Sequence, residues 1–426
     1  MKGLNRMRKL DNIKKGAIIL DIILDSTNGR DAMKIENIEI KGIGGIKELS
    51  LRFNKGLNII CGANGIGKTT ILESIAHNFS YANASILKRN KKYDSGTVKM
   101  KVVLADEGGI STWFDDEYKI HEFRASKSEM TGHHTYYSKY LLPFKTYRQM
   151  EYNQLNSISA DKELDGHDLG EISIKGINQV DIKKWLINRF LFYQVENSIS
   201  EEQKCNFELA LKCFEILDGK ITFSKILADS LDIMVNTPQG EVYFEYLSSG
   251  YKSCFYILLG IIKEIEYRFK DPYIKVEDFE GVILIDELDL HLHPEWQVKI
   301  ISALKIVVPN AQIIATTHSP NMIQTLSPNE IIPLIMDENG NVCKKDLELG
   351  EYGLQGWTIE EILTDVMGMK TTSSELYLDT MRKFDRAMDK ENIDEIKKYY
   401  DILMKMLHPK STLRTILKIQ VAGIID

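Results

Sequence analysis

One segment near the amino-terminal end constrains the fold more than any other. Residues 57–61 (LNIIC) read as a short buried strand, residues 62–69 (GANGIGKT) fit the pattern GxxxxGK[ST], and residues 69–79 (TTILESIAHNF) have helical character. A strand, a glycine-rich turn and a helix in this order open a parallel α/β domain. We therefore expect an α/β fold in which the first strand-to-helix connection is a loop for phosphate groups.

The residues of this loop suit the phosphates of a nucleotide. Glycines allow the backbone to curl so that successive N–H groups point at phosphate oxygens, and the following helix adds its positive end. Lys68 is expected to reach the β- and γ-phosphates, and the Thr69 hydroxyl is expected to bind Mg²⁺. The predicted nucleotide-binding residues are Gly62, Ala63, Asn64, Gly65, Ile66, Gly67, Lys68, Thr69 and Thr70.

Two adjacent carboxylates follow a second buried strand. Residues 281–285 (GVILI) are apolar and lead directly into Asp286 and Glu287. A carboxylate at the end of a buried strand is costly unless it has a partner or a task. We expect Asp286 to orient the water shell of the magnesium and Glu287 to act as general base on the attacking water.

Two further segments complete the candidate site. Leu247, Ser248, Ser249 and Gly250 precede an apolar helix, where hydroxyl and N–H groups at a helix start can donate to an anion. The next buried strand (QIIAT) is followed by His318, which fits a sensor of the γ-phosphate. Its ring could donate a hydrogen bond to that phosphate or fix the attacking water.

In this order the four segments resemble the ABC-type ATPases within the AAA family: Walker A at 62–69, signature at 247–253, Walker B at 282–287 and switch histidine at 318. The resemblance implies a mixed sheet with flanking helices and hydrolysis of ATP to ADP and phosphate with Mg²⁺. It also implies a homodimer or higher oligomer in which the signature of one subunit closes on the phosphates bound to another. The implied catalytic residues are Lys68, Glu287 and His318, and the implied metal ligands are Thr69 and Asp286.

The signature and the residues around it indicate which branch of the ABC-type ATPases the chain resembles. Ser248 and Gly250 match the transporter form LSGGQ, whereas Ser249 and Tyr251 depart from it. The loop GANGIGKTT and the run DELDLHLHPEWQ look like the RecF, Rad50, SMC and OLD branch. Between the phosphate loop and the signature the chain is too short for a Rad50-type coiled-coil arm, and no heptads occur there. No acidic cluster after His318 suits an appended Toprim nuclease, so we expect a chain that does not itself cut nucleic acid.

The carboxy-terminal residues 353–409 look like those of the ATPase subunit of Septu-type antiphage defence and of retron-associated ATPases. That resemblance implies a separate HNH-type nuclease partner and a role in halting phage infection. Two alternatives remain open: a RecF-like DNA-repair ATPase acting directly on DNA, and a transporter's ATPase subunit. The weak signature match counts against the transporter. The net charge of −7 weakly disfavours a DNA-coating protein, although it leaves a local DNA contact open.

Composition also bears on location. No run reaches the roughly 18 apolar residues that a membrane helix needs. Asp21 interrupts the apolar run AIILDIIL after four residues, so we expect no export signal. The five cysteines have no CxxC spacing, which disfavours a zinc site, and their odd number without an export signal favours reduced thiols. We therefore expect a cytoplasmic protein without membrane contact.

The order of patterns predicts a domain layout. Strands are expected at 98–122, an irregular stretch at 125–170, helices at 180–217, a hairpin at 231–246 and a helical end. Residues 1–32 read either as an arm that pairs with another subunit or as a start-site artefact. The Q-loop glutamine is expected at Gln149 or Gln154, unless both are ordinary loop residues. The predicted segments are an extension at 1–32, ATPase lobe I at 33–150, a mainly helical insert at 151–240, ATPase lobe II at 241–345 and a helical region at 346–426.

Overall fold

The computed structural model describes residues 32–80, 87–105, 111–120, 135–148, 152–178 and 180–424. The chain forms two compact units, one ending at Gly368 and one beginning at Met369. The extension predicted at 1–32 lies almost wholly outside the described residues, since the first strand begins at Ala32.

The strands of the first unit form three sheets. Their bounds are β1 Ala32–Ile43, β2 Ile46–Arg52, β3 Leu57–Gly62, β4 Gly96–Ala105, β5 Ser111–Ile120, β6 Leu141–Phe144, β7 Thr222–Ile226, β8 Ile233–Thr237, β9 Gly240–Tyr243, β10 Val282–Ile285, β11 Gln312–Thr316, β12 Ile331–Met336 and β13 Val342–Lys344.

The helices flank these sheets or follow them. Their bounds are α1 Lys68–His77, α2 Gly166–Lys175, α3 Val180–Tyr193, α4 Glu201–Leu217, α5 Ser249–Arg268, α6 Pro294–Val307, α7 Pro320–Gln324, α8 Ile359–Glu361 with a π-helical turn Ile362–Val366, α9 Glu375–Asp389, α10 Ile393–Met406 and α11 Thr412–Val421.

The central sheet carries the candidate site. Its order is β13-β12-β3-β11-β10-β6, parallel except for the antiparallel β13. Strands β3, β10 and β11 are buried along their whole length, which explains why their sequences are continuous apolar runs without alternation. The carboxyl ends of these three strands therefore meet at one edge. The expected α/β class with a mixed sheet and flanking helices is confirmed.

A second sheet packs against the first. It has the order β2-β1-β4-β5 and is antiparallel throughout, and the strands expected within 98–122 are its β4 and β5. The side-chain amide of Gln312, at the start of β11, accepts from the Ile35 N–H at 2.7 Å and donates to the Ile35 carbonyl at 2.8 Å. This buried pair of bonds joins β1 to the central sheet.

Strand β6 is a finding that the sequence did not predict. The expectation of an irregular stretch over 125–170 is wrong here, because Leu141–Phe144 pairs in parallel with β10 at the edge of the central sheet. Four residues including Pro143 give little strand signal, and proline is tolerated on an edge strand. Helix α2, whose capping box is formed by Asp165 and Asp168, also begins within that stretch.

The remaining predicted elements of the first unit are confirmed. Helix α4 begins at a capping box formed by Ser200 and Gln203, and β8 and β9 form a hairpin around residues 238–239. Helix α5 is buried over most of its length, because it packs beneath the central sheet. Within the described ranges, no helix combines the length and the apolar character needed to cross a membrane.

The second unit consists of α9, α10 and α11 around a small core of its own. Phe384 is buried at its centre, and Tyr377, Met381 and Met388 pack against that core. These four residues recur at spacings of three and four, which places them on the core-facing side of one helix.

Candidate functional site

The loop predicted to bind phosphate connects β3 to α1. Gly62 and Gly67 have φ values of 144° and 107°, in the region that favours glycine. A Cβ on Gly62 would stand 2.5 Å from the Leu334 carbonyl, and one on Gly67 would stand 2.9 Å from the Ile46 side chain. Both positions therefore require glycine for space as well as for conformation. The loop residues Ala63, Asn64 and Gly65 are exposed, Gly67 and Thr70 are partly exposed, and Ile66 is buried.

Lys68 folds back over this loop. Its ammonium donates to the carbonyls of Gly62 and Ala63, each at 3.0 Å. Burial lowers the pKa of Lys68, and the nearby Cys61 thiol and the carboxylates after β10 oppose that effect. Both acceptors of the ammonium are neutral carbonyl groups, so a negatively charged oxygen can replace them.

Thr69 and Asp286 come together across the edge of the sheet. The Thr69 hydroxyl donates to the two carboxylate oxygens of Asp286 at 3.1 and 3.0 Å. The hydroxyl of Thr316, at the end of β11, donates to Asp286 Oδ1 at 2.7 Å. Asp286 is buried, with 4% of its surface exposed, so these hydroxyls compensate its loss of water.

Glu287 adopts an uncommon backbone conformation directly after Asp286. Its φ is +49°, a left-handed value that a non-glycine residue adopts only where its surroundings enforce it. Its N–H donates to the Thr316 hydroxyl at 2.7 Å. The turn that places Glu287 at the sheet edge is therefore fixed by the neighbouring strand.

His318 follows β11 at the same edge. Its backbone N–H donates to Asp289 Oδ1 at 3.0 Å, and the Thr317 hydroxyl donates to the same oxygen at 2.6 Å. Burial, reinforced by the charge of Lys68, lowers the pKa of His318 below the ordinary histidine value. The imidazole is thus neutral at neutral pH, with one ring nitrogen to donate and one to accept.

The signature residues start α5 and reach the surface. Ser248 and Ser249 are exposed, and the Ser248 side chain makes no capping hydrogen bond. Gly250 is buried and lies so close to the chain after Glu287 that an added Cβ would stand 3.2 Å from the His291 carbonyl. The Ser253 hydroxyl donates to the Leu290 carbonyl at 3.2 Å. The signature helix therefore packs against the segment that follows the two carboxylates.

Tyr251 links the signature helix to two other helices. Its hydroxyl donates to Asp218 Oδ2 at 2.6 Å, just after α4, and its ring meets Trp296 of α6 edge-on at 4.1 Å. That hydrogen bond holds the pKa of Asp218 below its usual value. The residue that departs from the transporter signature is thus a packing contact at the base of α5.

The sequence did not decide whether Gln149 or Gln154 forms the Q-loop, and it gave no sign of two residues at the site, Thr316 and Arg148. Gln149 lies outside the described residues, and Gln154 is exposed. Thr316, which bonds both Asp286 and Glu287, carried no motif of its own. Arg148 also carried none, yet it is 2% exposed and donates a hydrogen bond to the Asp286 carbonyl.

The chain is similar to known proteins over most of its length. A protein-family profile described as "AAA domain, putative AbiEii toxin, Type IV TA system" matches residues 57–323. The Septu protein PtuA of Bacillus thuringiensis is 48% identical over 394 residues, which cover 91% of this chain and 98% of that protein. The "Retron Ec83 probable ATPase" of Escherichia coli is 32% identical over 141 residues, which cover 32% of this chain and 24% of that protein.

Among solved structures, an SMC head bound to the C-terminal winged-helix domain of ScpA aligns over 74% of this chain and 98% of that chain. The sequence identity is 16% and the TM-score is 0.41.

Proposed function

This chain belongs to the AAA-domain family that includes the Septu protein PtuA, and on that premise we propose that it is the ATPase subunit of an antiphage defence complex. In this proposal it binds ATP with Mg²⁺, hydrolyses it between two subunits and regulates a partner HNH-type nuclease. The observation that carries the proposal is the meeting of Thr69, Asp286 and Thr316 at the edge where β3, β10 and β11 end.

The residues at this edge fit magnesium. Mg²⁺ prefers oxygen ligands and is usually bound by one or two protein oxygens together with substrate phosphates. The Thr69 hydroxyl and the Asp286 carboxylate are 3.0 Å apart and offer that set. When bound, the ion would neutralise charge that develops on the phosphates. Thr69 and Asp286 are therefore the residues that we expect to hold it.

The chain's own residues then divide the work of hydrolysis. Lys68 exchanges the carbonyls of Gly62 and Ala63 for phosphate oxygens, which are stronger acceptors for an ammonium. Glu287, held by its unusual turn, takes a proton from the attacking water. The neutral ring of His318 donates a hydrogen bond to the γ-phosphate or orients that water. The N–H groups of residues 62–70 bind the remaining phosphate oxygens.

The exposed start of α5 supports a composite site. Ser248 and Ser249 present hydroxyl groups at the amino-terminal end of a 20-residue helix, where an anion is favoured. Facing the triphosphate held by a second copy, they and Gly250 would complete its coordination. The proposal therefore includes a head-to-tail dimer with two nucleotides at its interface.

The defence role is proposed from membership of the family. We also propose that the chain is divided into the two ATPase lobes and the helical insert that the sequence predicts. The experiment that tests the defence role is to express the chain together with the product of the neighbouring gene, which the proposal expects to be an HNH-type nuclease. Co-purification, and a DNA-cleaving activity that changes with ATP, would support the regulatory role. Salt-dependent DNA binding by this chain alone, without nuclease association, would favour a RecF-like ATPase acting directly on DNA. Absence of ATP hydrolysis by the full-length wild-type chain would overturn the proposal.

A further inference from the structure

Arg148, a buried residue outside the predicted motifs, contacts the peptide group that joins Asp286 to Glu287. Arg148 lies four residues after β6, the edge strand that pairs with β10. Its Nη2 donates to the Asp286 carbonyl, and its Nε donates to the Lys145 carbonyl at 3.2 Å. The guanidinium therefore connects the chain after β6 to the end of β10.

The peptide group between Asp286 and Glu287 is held at both of its polar atoms. Its carbonyl accepts from Arg148, and its N–H donates to the Thr316 hydroxyl at 2.7 Å. The two holding side chains come from opposite neighbours of β10, since Arg148 follows β6 and Thr316 ends β11. Rotation of this peptide about the chain axis would break both bonds, so together they fix the plane from which Glu287 departs.

Packing alone does not account for an arginine at this place. Burial lowers the pKa of Arg148, and the hydroxyl of Tyr256 and the carboxylates of Asp286, Asp289 and Glu287 oppose that effect. Its Nη1 is buried and has no hydrogen-bond partner among the described residues. An unpaired buried donor destabilises the folded chain, and an apolar side chain of similar volume would avoid that cost. An arginine at this place is therefore explained by a role that requires a fixed hydrogen-bond donor.

We propose that Arg148 is a positioning residue for ATP hydrolysis, which holds the Asp286–Glu287 peptide so that the general base faces the γ-phosphate. The inference rests on the proposed ATPase function and adds a residue to it. In this inference Arg148 acts through the backbone carbonyl of Asp286 and is not itself a catalytic residue. Its loss should consequently lower kcat and leave ATP binding nearly intact.

The test compares Arg148→Met, Arg148→Lys and wild type in full-length protein, measuring ATP affinity, KM and kcat. We expect Arg148→Met to lower kcat about 10- to 100-fold, because small misplacements of catalytic groups have effects of that size. KM and ATP affinity should stay within about threefold. Arg148→Lys should recover part of kcat, because an ammonium can reach one carbonyl but cannot bridge two in a fixed plane.

A matched control separates positioning from general stability. Arg189 is also buried and paired, with Asp161 and Glu266, but none of these belongs to the candidate site. Arg189→Met should lower the melting temperature and leave kcat per folded molecule near wild type. If Arg148→Met fails to fold, the comparison of Arg148→Lys with wild type decides, and an unchanged kcat in that variant overturns the inference.

A double-mutant cycle adds a readout that a merely structural role would not produce. Arg148 and Thr316 hold the same peptide, so Arg148→Met combined with Thr316→Val should lower kcat by less than the product of the two single effects. If the two effects multiply fully, Arg148 and Thr316 act independently on kcat, which would contradict a common role at this peptide. The inference fails on its own if wild type hydrolyses ATP, Glu287→Gln is inactive and Arg148→Met keeps wild-type kcat. An inactive wild type would count against the proposed function first.

Discussion

The Thr69 hydroxyl and the Asp286 carboxylate lie 3.0 Å apart, although 217 positions of sequence separate them. Thr69 lies in the first turn of the helix after β3 and Asp286 directly follows β10, with β11 between the two strands. Parallel strands bring their carboxyl ends to the same edge, so residues from distant segments meet there without an extended loop. The chemistry proposed for this chain depends on that meeting.

Replacing Lys68 tests the phosphate loop. Lys68→Ala should weaken ATP binding at least 100-fold, which is about 2.7 kcal/mol, because the ammonium is the main positive charge of the loop. Titration calorimetry measures the affinity directly. Lys383→Ala, on an exposed helix face of the second unit, serves as the control and should bind ATP as wild type does. Wild-type affinity in Lys68→Ala would remove this lysine from the site.

Glu287 is the predicted general base. Glu287→Gln should keep ATP affinity, lower hydrolysis by about 10²–10⁴-fold and accumulate the ATP-bound dimer, because the amide cannot accept the proton of water. Phosphate release gives the rate, and light scattering in the presence of ATP gives the mass. Glu295→Gln at the start of α6 is the matched control. Wild-type turnover in Glu287→Gln would refute the assignment.

Mixing two inactive variants tests the composite site. Ser248→Arg should block the signature and Lys68→Ala should block the loop, so each homodimer is inactive. In a mixed dimer one site combines an intact loop with an intact signature. Random one-to-one mixing should restore about a quarter of the wild-type rate, since half of the dimers are mixed and half of their sites are intact. A mixture as inactive as its components would contradict hydrolysis between subunits.

His77 predicts a pH dependence of stability. Burial lowers the pKa of this α1 histidine to about 4. When the pH is lowered from 6.5 to 4, the unfolded chain takes up a proton at this residue and the folded chain does not. The free energy of unfolding therefore decreases as the pH is lowered through that window. The loss amounts to about 3 kcal/mol and levels off below pH 4. Urea unfolding of His77→Phe should show a shallower fall than wild type, whereas exposed His408→Gln should not.

Tyr251 predicts a stability effect at the base of the signature helix. Tyr251→Phe keeps the edge-on contact with Trp296 and removes the hydrogen bond to Asp218, which should lower the free energy of unfolding by roughly 1 kcal/mol. Chemical denaturation measures the change. Tyr352→Phe removes a hydroxyl from a ring that is 70% exposed and should have no measurable effect. An unchanged stability in Tyr251→Phe would mean that the Asp218 bond contributes nothing.

The sequence predicted the parts of the site that form locally. A loop between a strand and a helix, or a carboxylate pair after an apolar run, shows in consecutive residues such as 57–69 and 282–287. Strand β6 and Arg148 were missed because both depend on partners far along the chain. Leu141–Phe144 becomes a strand only by pairing with β10, and Arg148 is noticeable only beside the Asp286 carbonyl.

Residue Asp289 illustrates the same limit. From its place in the run DELDLHLHPEWQ we predict that it lies at a junction between subunits. Within the chain, its carboxylate accepts from Thr317 and from the His318 N–H, which orients the turn after β11. A carboxylate can serve both purposes, and only three-dimensional contacts reveal the second.

The Ser248 side chain gives its own helix no capping bond. Folding of the single chain therefore gains little from this hydroxyl, and substitutions there should be nearly neutral for the melting temperature. In the proposed dimer this hydroxyl is therefore available to the nucleotide of a second copy, so a change at Ser248 should alter the lifetime of the assembly without altering the stability of the single chain.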